Sequence, residues 1–122
     1  MNLSLVFRIS AVIFLINAVG IIFMPSTFFG MTGFTMSASL VTLGQFLGIT
    51  IIFLAILAWR TPEIAGDAIT SYGQLWAIGN VLWFLIVGYH IVTGQAGGMT
   101  AYGNALLFVI FAILFFRYSK KN

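Results

Sequence analysis

Hydrophobic residues in this chain gather into four long runs, separated by short stretches rich in proline, glycine and polar side chains. The first run extends from about Leu3 to Met24 and stops at Pro25; the second extends from about Ser37 to Trp59 and stops at Arg60-Thr61-Pro62. The third covers about Ile69 to Val92 and gives way to Gly94-Gln95-Ala96-Gly97-Gly98, and the fourth covers about Thr100 to Phe116 before a basic terminus. Each run is close to the ~20 residues that a helix needs to cross a bilayer. Proline and glycine at every boundary act as breakers. The pattern predicts an all-α fold: a single-domain, integral membrane four-helix bundle with helices over about 3–24, 37–59, 69–93 and 100–118. An outer connector would occupy 25–36 and an inner connector 60–68.

Composition strengthens this picture. The chain has 122 residues, of which 61% are hydrophobic and only 6% charged. A water-soluble domain has roughly a quarter of its residues charged, so lipid is the expected solvent. In lipid only helices and closed barrels satisfy every amide. The unbroken runs lack the alternation of roughly ten-residue barrel strands. With no cysteine, disulfides, thiolate metal sites, CxxC haem attachment and thiol redox chemistry are excluded.

Charge then orients the bundle. Arg8, Arg60, Arg117, Lys120 and Lys121 are all the basic residues in the chain, and each falls on the side shared by the N-terminus, the second connector and the C-terminus. Lys/Arg excess marks the cytoplasmic side, so both termini are expected inside, in a bacterial inner membrane. Glu63 and Asp67 share the inner connector and are candidates to pair with Arg60, an exposed contact of small energetic weight. The net charge of +3 is explained by topology, and no nucleic-acid signature accompanies it. Ile9 to Val19 also has the length of a secretory signal core, with Ala18-Val19-Gly20 as a small-x-small site. With Arg8 as the only charge before it, an uncleaved first helix is expected. The uncharged outer connector, carrying Phe28, Phe29 and Phe34, reads as an interfacial segment with one helical turn opened by Pro25. Its other reading is a lid or docking surface.

Polar residues inside the runs are informative because each costs free energy unless it finds a partner. They are Asn17, Gln45, Asn80, Asn104 and, near an end, His90. At ~1.5 Å rise per residue, Asn17 and Gln45 lie roughly 10 to 12 Å below the outer ends of their helices, with Asn104 comparable and Asn80 near the middle. These amides form either an outward-opening polar cavity or the hydrogen-bonding glue that fixes bundle register. On the third run, Trp76, Asn80, Trp83, Val87 and His90 follow a four-three alternation and share one face. That face could hold a flat apolar ligand such as a quinone, pigment or lipid, or fill the core with its indoles. His90 is a candidate ligand for haem or pigment, or simply meets headgroups and water.

Gly44 and Gly48 form a GxxxG pair, continued by Ile51, Ala55 and Ala58, which permits close helix approach within the chain or with a neighbour. No Asp, Glu or Lys interrupts a run, which argues against proton-coupled transport. One His and two acids do not supply the clustered groups of hydrolytic or metal chemistry. The expectation is a non-enzymatic chain with no catalytic residue and no metal site.

Phe23-Met24-Pro25-Ser26, Gly44-Gln45-Phe46-Leu47-Gly48, Leu57-Ala58-Trp59-Arg60, Gly79-Asn80 and Asn104-Ala105-Leu106 together resemble small bacterial four-helix membrane proteins of the DoxX-like kind. The resemblance implies a four-helix bundle and, for some relatives, association with a respiratory or quinone-linked complex; it carries over no catalytic residue. The chain lacks the first-helix glutamate of small multidrug exporters, and its one-sided charge differs from small fluoride channels. Two functions are therefore expected: an accessory or assembly subunit of a larger membrane complex, with the small-residue and aromatic faces as contact surfaces to other subunits or a second copy; or a binder or carrier of a small apolar ligand in an outward pocket formed by Asn17, Gln45, Asn104 and the Trp76, Asn80, Trp83, His90 face.

Overall fold

In the computed structural model, residues 1–120 are described, and Lys121 lies outside them. The described chain is helical, and its helices follow from local signals. Helix α1, Leu3–Phe23, starts where the Asn2 side chain accepts a hydrogen bond from the Leu5 amide at 3.0 Å, and ends at Met24, whose backbone has left the helical region. Pro25 enforces that ending, because a residue before proline is pushed out of the helical region. Pro25 then opens a six-residue helix α2, Pro25–Gly30, where a missing amide proton costs nothing. After Gly33 turns the chain with φ +84, Ser37 caps helix α3, Ala38–Ile64, by accepting from the Leu40 amide at 3.1 Å.

Helix α3 runs past the expected stop. Pro62 sits inside its last turns rather than ending it, so the second long helix reaches Ile64 instead of Trp59 and the connector shrinks to residues 65–68. Pro62 removes one amide donor, but its neighbours keep theirs: the Ala65 amide donates to the Thr61 carbonyl at 2.9 Å. Glu63 also ties this turn down, meeting Arg60 at 2.8 Å and Arg8 of α1 at 3.0 Å. Arg8, rather than Arg60 alone, is therefore the partner of Glu63, and its guanidinium also lies 4.3 Å from the Trp59 ring centroid. Asp67 joins neither pair. A single 3-10 turn, Gly66–Ala68, leads into α4, Ile69–Val92, and a glycine-rich turn leads into α5, Gly98–Tyr118.

Four of these helices are long and apolar enough to cross a membrane. They alternate in direction, so the termini and the 65–68 connector share one end, and α2 with the 93–97 turn occupies the other. α1 packs along α3, α4 packs along α5, and the two pairs meet chiefly through α1. The close approach of α3 to α1 is built on its small residues. A Cβ at Gly44 would lie 2.6 Å from the Phe29 ring, and one at Gly48 would lie 2.5 Å from Ile22 Cγ1 and 3.4 Å from the Ala18 carbonyl. Ala55 and Ala58 continue this buried face. The GxxxG pair thus packs within the chain, Gly48 against α1 and Gly44 against Phe29 of α2 and Ile21 of α1.

At the termini end the pairs are joined by aromatic rings. Phe7 packs edge-on to Phe115 at 4.8 Å and to Trp76 at 5.9 Å, and Phe14 adds a further contact to Trp76 at 5.7 Å. Such pairs contribute about 0.5–1.5 kcal/mol each beyond the area they bury. Gly73 allows α4 to approach this cluster, since a Cβ there would lie 2.9 Å from Ser119 Cβ and 3.0 Å from Leu3 Cδ2. The core is consequently dense near the termini, and the helices are less tightly joined toward the opposite end.

Candidate functional site

That looser half encloses a cavity of about 280 Å³ between α1, α3, α4 and α5. Ile13, Phe14, Leu54, Leu107 and Phe111 form its floor, and Phe28, Thr32, Phe34 and Ala96 roof it. The roof is fastened across the bundle. The Gly97 amide donates to the Thr32 carbonyl at 2.9 Å, and Gly98, at φ +81, is pressed so closely on the Met31 carbonyl that a Cβ would collide with it. The Thr32 hydroxyl in turn donates to the Phe29 carbonyl at 2.6 Å, closing the turn after α2.

Of the residues that the sequence singled out, Asn17, Trp83, His90 and Asn104 come together on this cavity. Trp83 lies nearly parallel to Phe108, with centroids 5.7 Å apart and planes 17° apart, so the two rings present a flat aromatic wall. Asn17 donates one amide hydrogen to the Ile13 carbonyl at 3.1 Å, which leaves its oxygen and second hydrogen for an occupant. Asn104 faces the cavity without such an anchor among the described residues. Nδ1 of His90 is buried without a partner, and the ring meets Tyr89 edge-on at 5.2 Å. The lining therefore offers donors and acceptors, and among the described residues His90 is its one ionisable side chain. Among the described residues, no three His, Asp or Glu side chains gather into a metal-binding group.

Three other expected residues lie elsewhere. Trp76 belongs to the aromatic core with Phe7, Phe14 and Phe115. Asn80 is 2% exposed; its amide donates to the Trp76 carbonyl at 2.8 Å, while its oxygen is unpartnered. Neither lines the cavity, so the four-three stripe on α4 is divided: its first half fills the core and its second half, from Trp83 to His90, faces the cavity. Gln45 points to the outside of α3. The cause is helical geometry: Leu47 lines the cavity, and two residues correspond to about 200° of rotation, which turns Gln45 away.

The apolar half of the lining was not recognised as one surface in the sequence: Val87 was placed on the α4 stripe, Ile51 on the Gly44/Gly48 face, and Phe28 and Phe34 in the interfacial connector. Leu47, Ile51 and Leu54 stand at positions i, i+4 and i+7, a spacing visible in the chain but indistinguishable there from a lipid-facing stripe. Thr32 carried no distinguishing signal, since Ser26, Thr27 and Thr35 share its phenylalanine-rich connector. Compared with protein-family models, curated proteins and solved structures, the chain matches none, so the site is read from its own geometry.

Proposed function

We propose that this chain is an integral membrane protein that binds a small apolar molecule in the cavity between its two helix pairs. The observation that carries the reading is the convergence of Asn17, Trp83, His90 and Asn104, from three different helices, on one otherwise apolar space. Ligand sites characteristically combine an apolar lining with a few polar groups that fix orientation. Membrane insertion is supported by the outer surface: Phe46, Ile49, Leu43 and Leu82 are each at least 60% exposed, an arrangement that favours lipid over water. The basic residues described all stand at or near the termini end, which by the positive-inside rule is the cytoplasmic one, in a bacterial inner membrane. The cavity then lies in the outer half. A DoxX-like resemblance fits the same four-helix picture.

The accessory-subunit reading loses support by comparison. It relied on the small-residue and aromatic faces as contact surfaces. Gly44 is already used against Phe29 of α2 and Ile21 of α1, Gly48 is used against α1, Ala55 is buried, and Trp76 is packed in the core.

The test is recovery of a bound molecule. Protein purified in mild detergent is examined by native mass spectrometry, together with Val87→Phe, which places a ring in the cavity. The reading expects a stoichiometric apolar adduct on the parent chain and its loss from the variant at unchanged melting temperature. A parent chain free of any adduct, in detergent and in nanodiscs alike, would remove it. Fusions of a reporter to each terminus test the orientation.

A further inference from the structure

The cavity is walled unequally. α3 and α4 follow one another in the chain and line the same space, yet they barely touch. The boundary between them is a seam. Ile86 of α4 lines the cavity and is still 48% exposed, so it stands at the mouth of that seam. The roof, by contrast, is held shut by the Gly97–Thr32 hydrogen bond and the Gly98–Met31 contact. An occupant reaches this space more easily from the side than from above.

The lining is also graded in polarity along the helix axes. Thr32 is in the roof and His90 is two residues from the end of α4. Asn17 and Asn104 each lie six residues from the roof-side end of their helices, about 9 Å down at 1.5 Å per residue. Farther down, Ile13, Leu54, Leu107 and Phe111 leave the floor apolar. Polar above and apolar below is the polarity of a lipid leaflet. Apart from His90, no ionisable side chain among the described residues lines the space. A phosphate or ammonium headgroup would lose its hydration there without gaining an opposite charge, whereas a hydroxyl or carbonyl exchanges water for amide hydrogen bonds.

We infer that the cavity takes a neutral single-chain amphiphile from the surrounding leaflet, its hydroxyl- or carbonyl-bearing head among Asn17, His90 and Asn104 and its hydrocarbon chain passing through the α3–α4 seam. This rests on the reading of a membrane-embedded ligand cavity and adds the ligand's class and route.

The experiment uses Trp83 as reporter in the Trp59→Phe/Trp76→Phe protein, reconstituted in phosphatidylcholine vesicles. Three quenchers are compared: a monoacylglycerol brominated in mid-chain, a phosphatidylcholine with the same brominated chain, and para-bromophenol, which is small enough to need no seam for a tail. The expected result is saturable quenching by the monoacylglycerol and by para-bromophenol, with the phosphatidylcholine quenching only in proportion to its bulk amount. Ile86→Phe, which narrows the mouth, abolishes the saturable phase for the monoacylglycerol and spares that for para-bromophenol. Saturable para-bromophenol with a monoacylglycerol no better than the phosphatidylcholine overturns the ligand class while leaving the cavity reading standing. An Ile86→Phe variant that changes nothing overturns the route. Absence of saturable quenching by any probe overturns the ligand-cavity reading itself, and this inference with it. If Trp76→Phe costs the fold, Trp59→Phe alone serves, with Trp59→Phe/Trp83→Phe as its blank.

Discussion

Gly98 is the position where one methyl group is expected to do the most damage. It carries φ +81, and a Cβ there would run into the Met31 carbonyl, a backbone atom that no rotamer change can move. Gly98→Ala therefore combines two costs. Left-handed backbone strain contributes about 1–2 kcal/mol for a residue with a Cβ, and overpacking against a fixed group contributes about 1–3 kcal/mol. Alanine narrows the unfolded ensemble and returns about 0.4–1 kcal/mol. The net expectation is a loss of about 1–4.5 kcal/mol, which loosens the 93–97 turn from the roof segment that the Gly97 amide holds. Gly79 is the internal control: it lies inside α4, and a Cβ there meets nothing within 4 Å. Gly79→Ala should hold or raise stability, since alanine is favoured over glycine in a helix by up to about 1 kcal/mol. Both variants are compared by denaturation in mixed dodecylmaltoside and sodium dodecyl sulfate micelles. Equal midpoints for Gly98→Ala and Gly79→Ala would refute the claim that the roof is latched through Gly98.

Gly48→Leu should destabilise the α1–α3 pair by at least about 1–3 kcal/mol, because Ile22 and the Ala18 carbonyl occupy the space; the same micelle titration checks this, and a change in oligomeric state without loss of stability would speak against an intrachain contact. Asn104→Leu removes a cavity-facing amide and should weaken ligand retention about tenfold, the equivalent of one hydrogen bond, while Gln45→Leu on the outer face of α3 leaves it unchanged; retained-adduct fractions in native mass spectra distinguish the two. Glu63→Gln breaks the contacts to Arg8 and Arg60, and as these are exposed it should lower stability only slightly, a difference that shrinks with added salt; a large, salt-independent loss in melting experiments would contradict the assignment.

The chain by itself determined where the helices are. A helix satisfies its hydrogen bonds within its own segment, so run length, the caps at Asn2 and Ser37 and the break at Pro25 were sufficient local signals. The distribution of Lys and Arg was likewise visible without coordinates. Pro62 is where local reading failed: it removes one donor near a helix end, yet the turn continues through the Ala65 amide and through Glu63, which reaches Arg8, 55 residues away in the chain. Tertiary structure alone decided which polar residues meet. Asn17, Gln45 and Asn104 were equivalent as polar residues at similar depth, but each helix's rotation about its own axis is set by what it packs against. Gly44 and Gly48 draw one face of α3 onto α1 and Phe29 of α2, and that contact sends Gln45 outward while it turns Leu47 and Ile51 inward. Likewise Trp76 and Trp83 share a stripe, but the aromatic cluster at the termini end fills the space around the first and leaves the second facing a cavity. Periodicity specifies a face; only the packed partners specify what that face looks at.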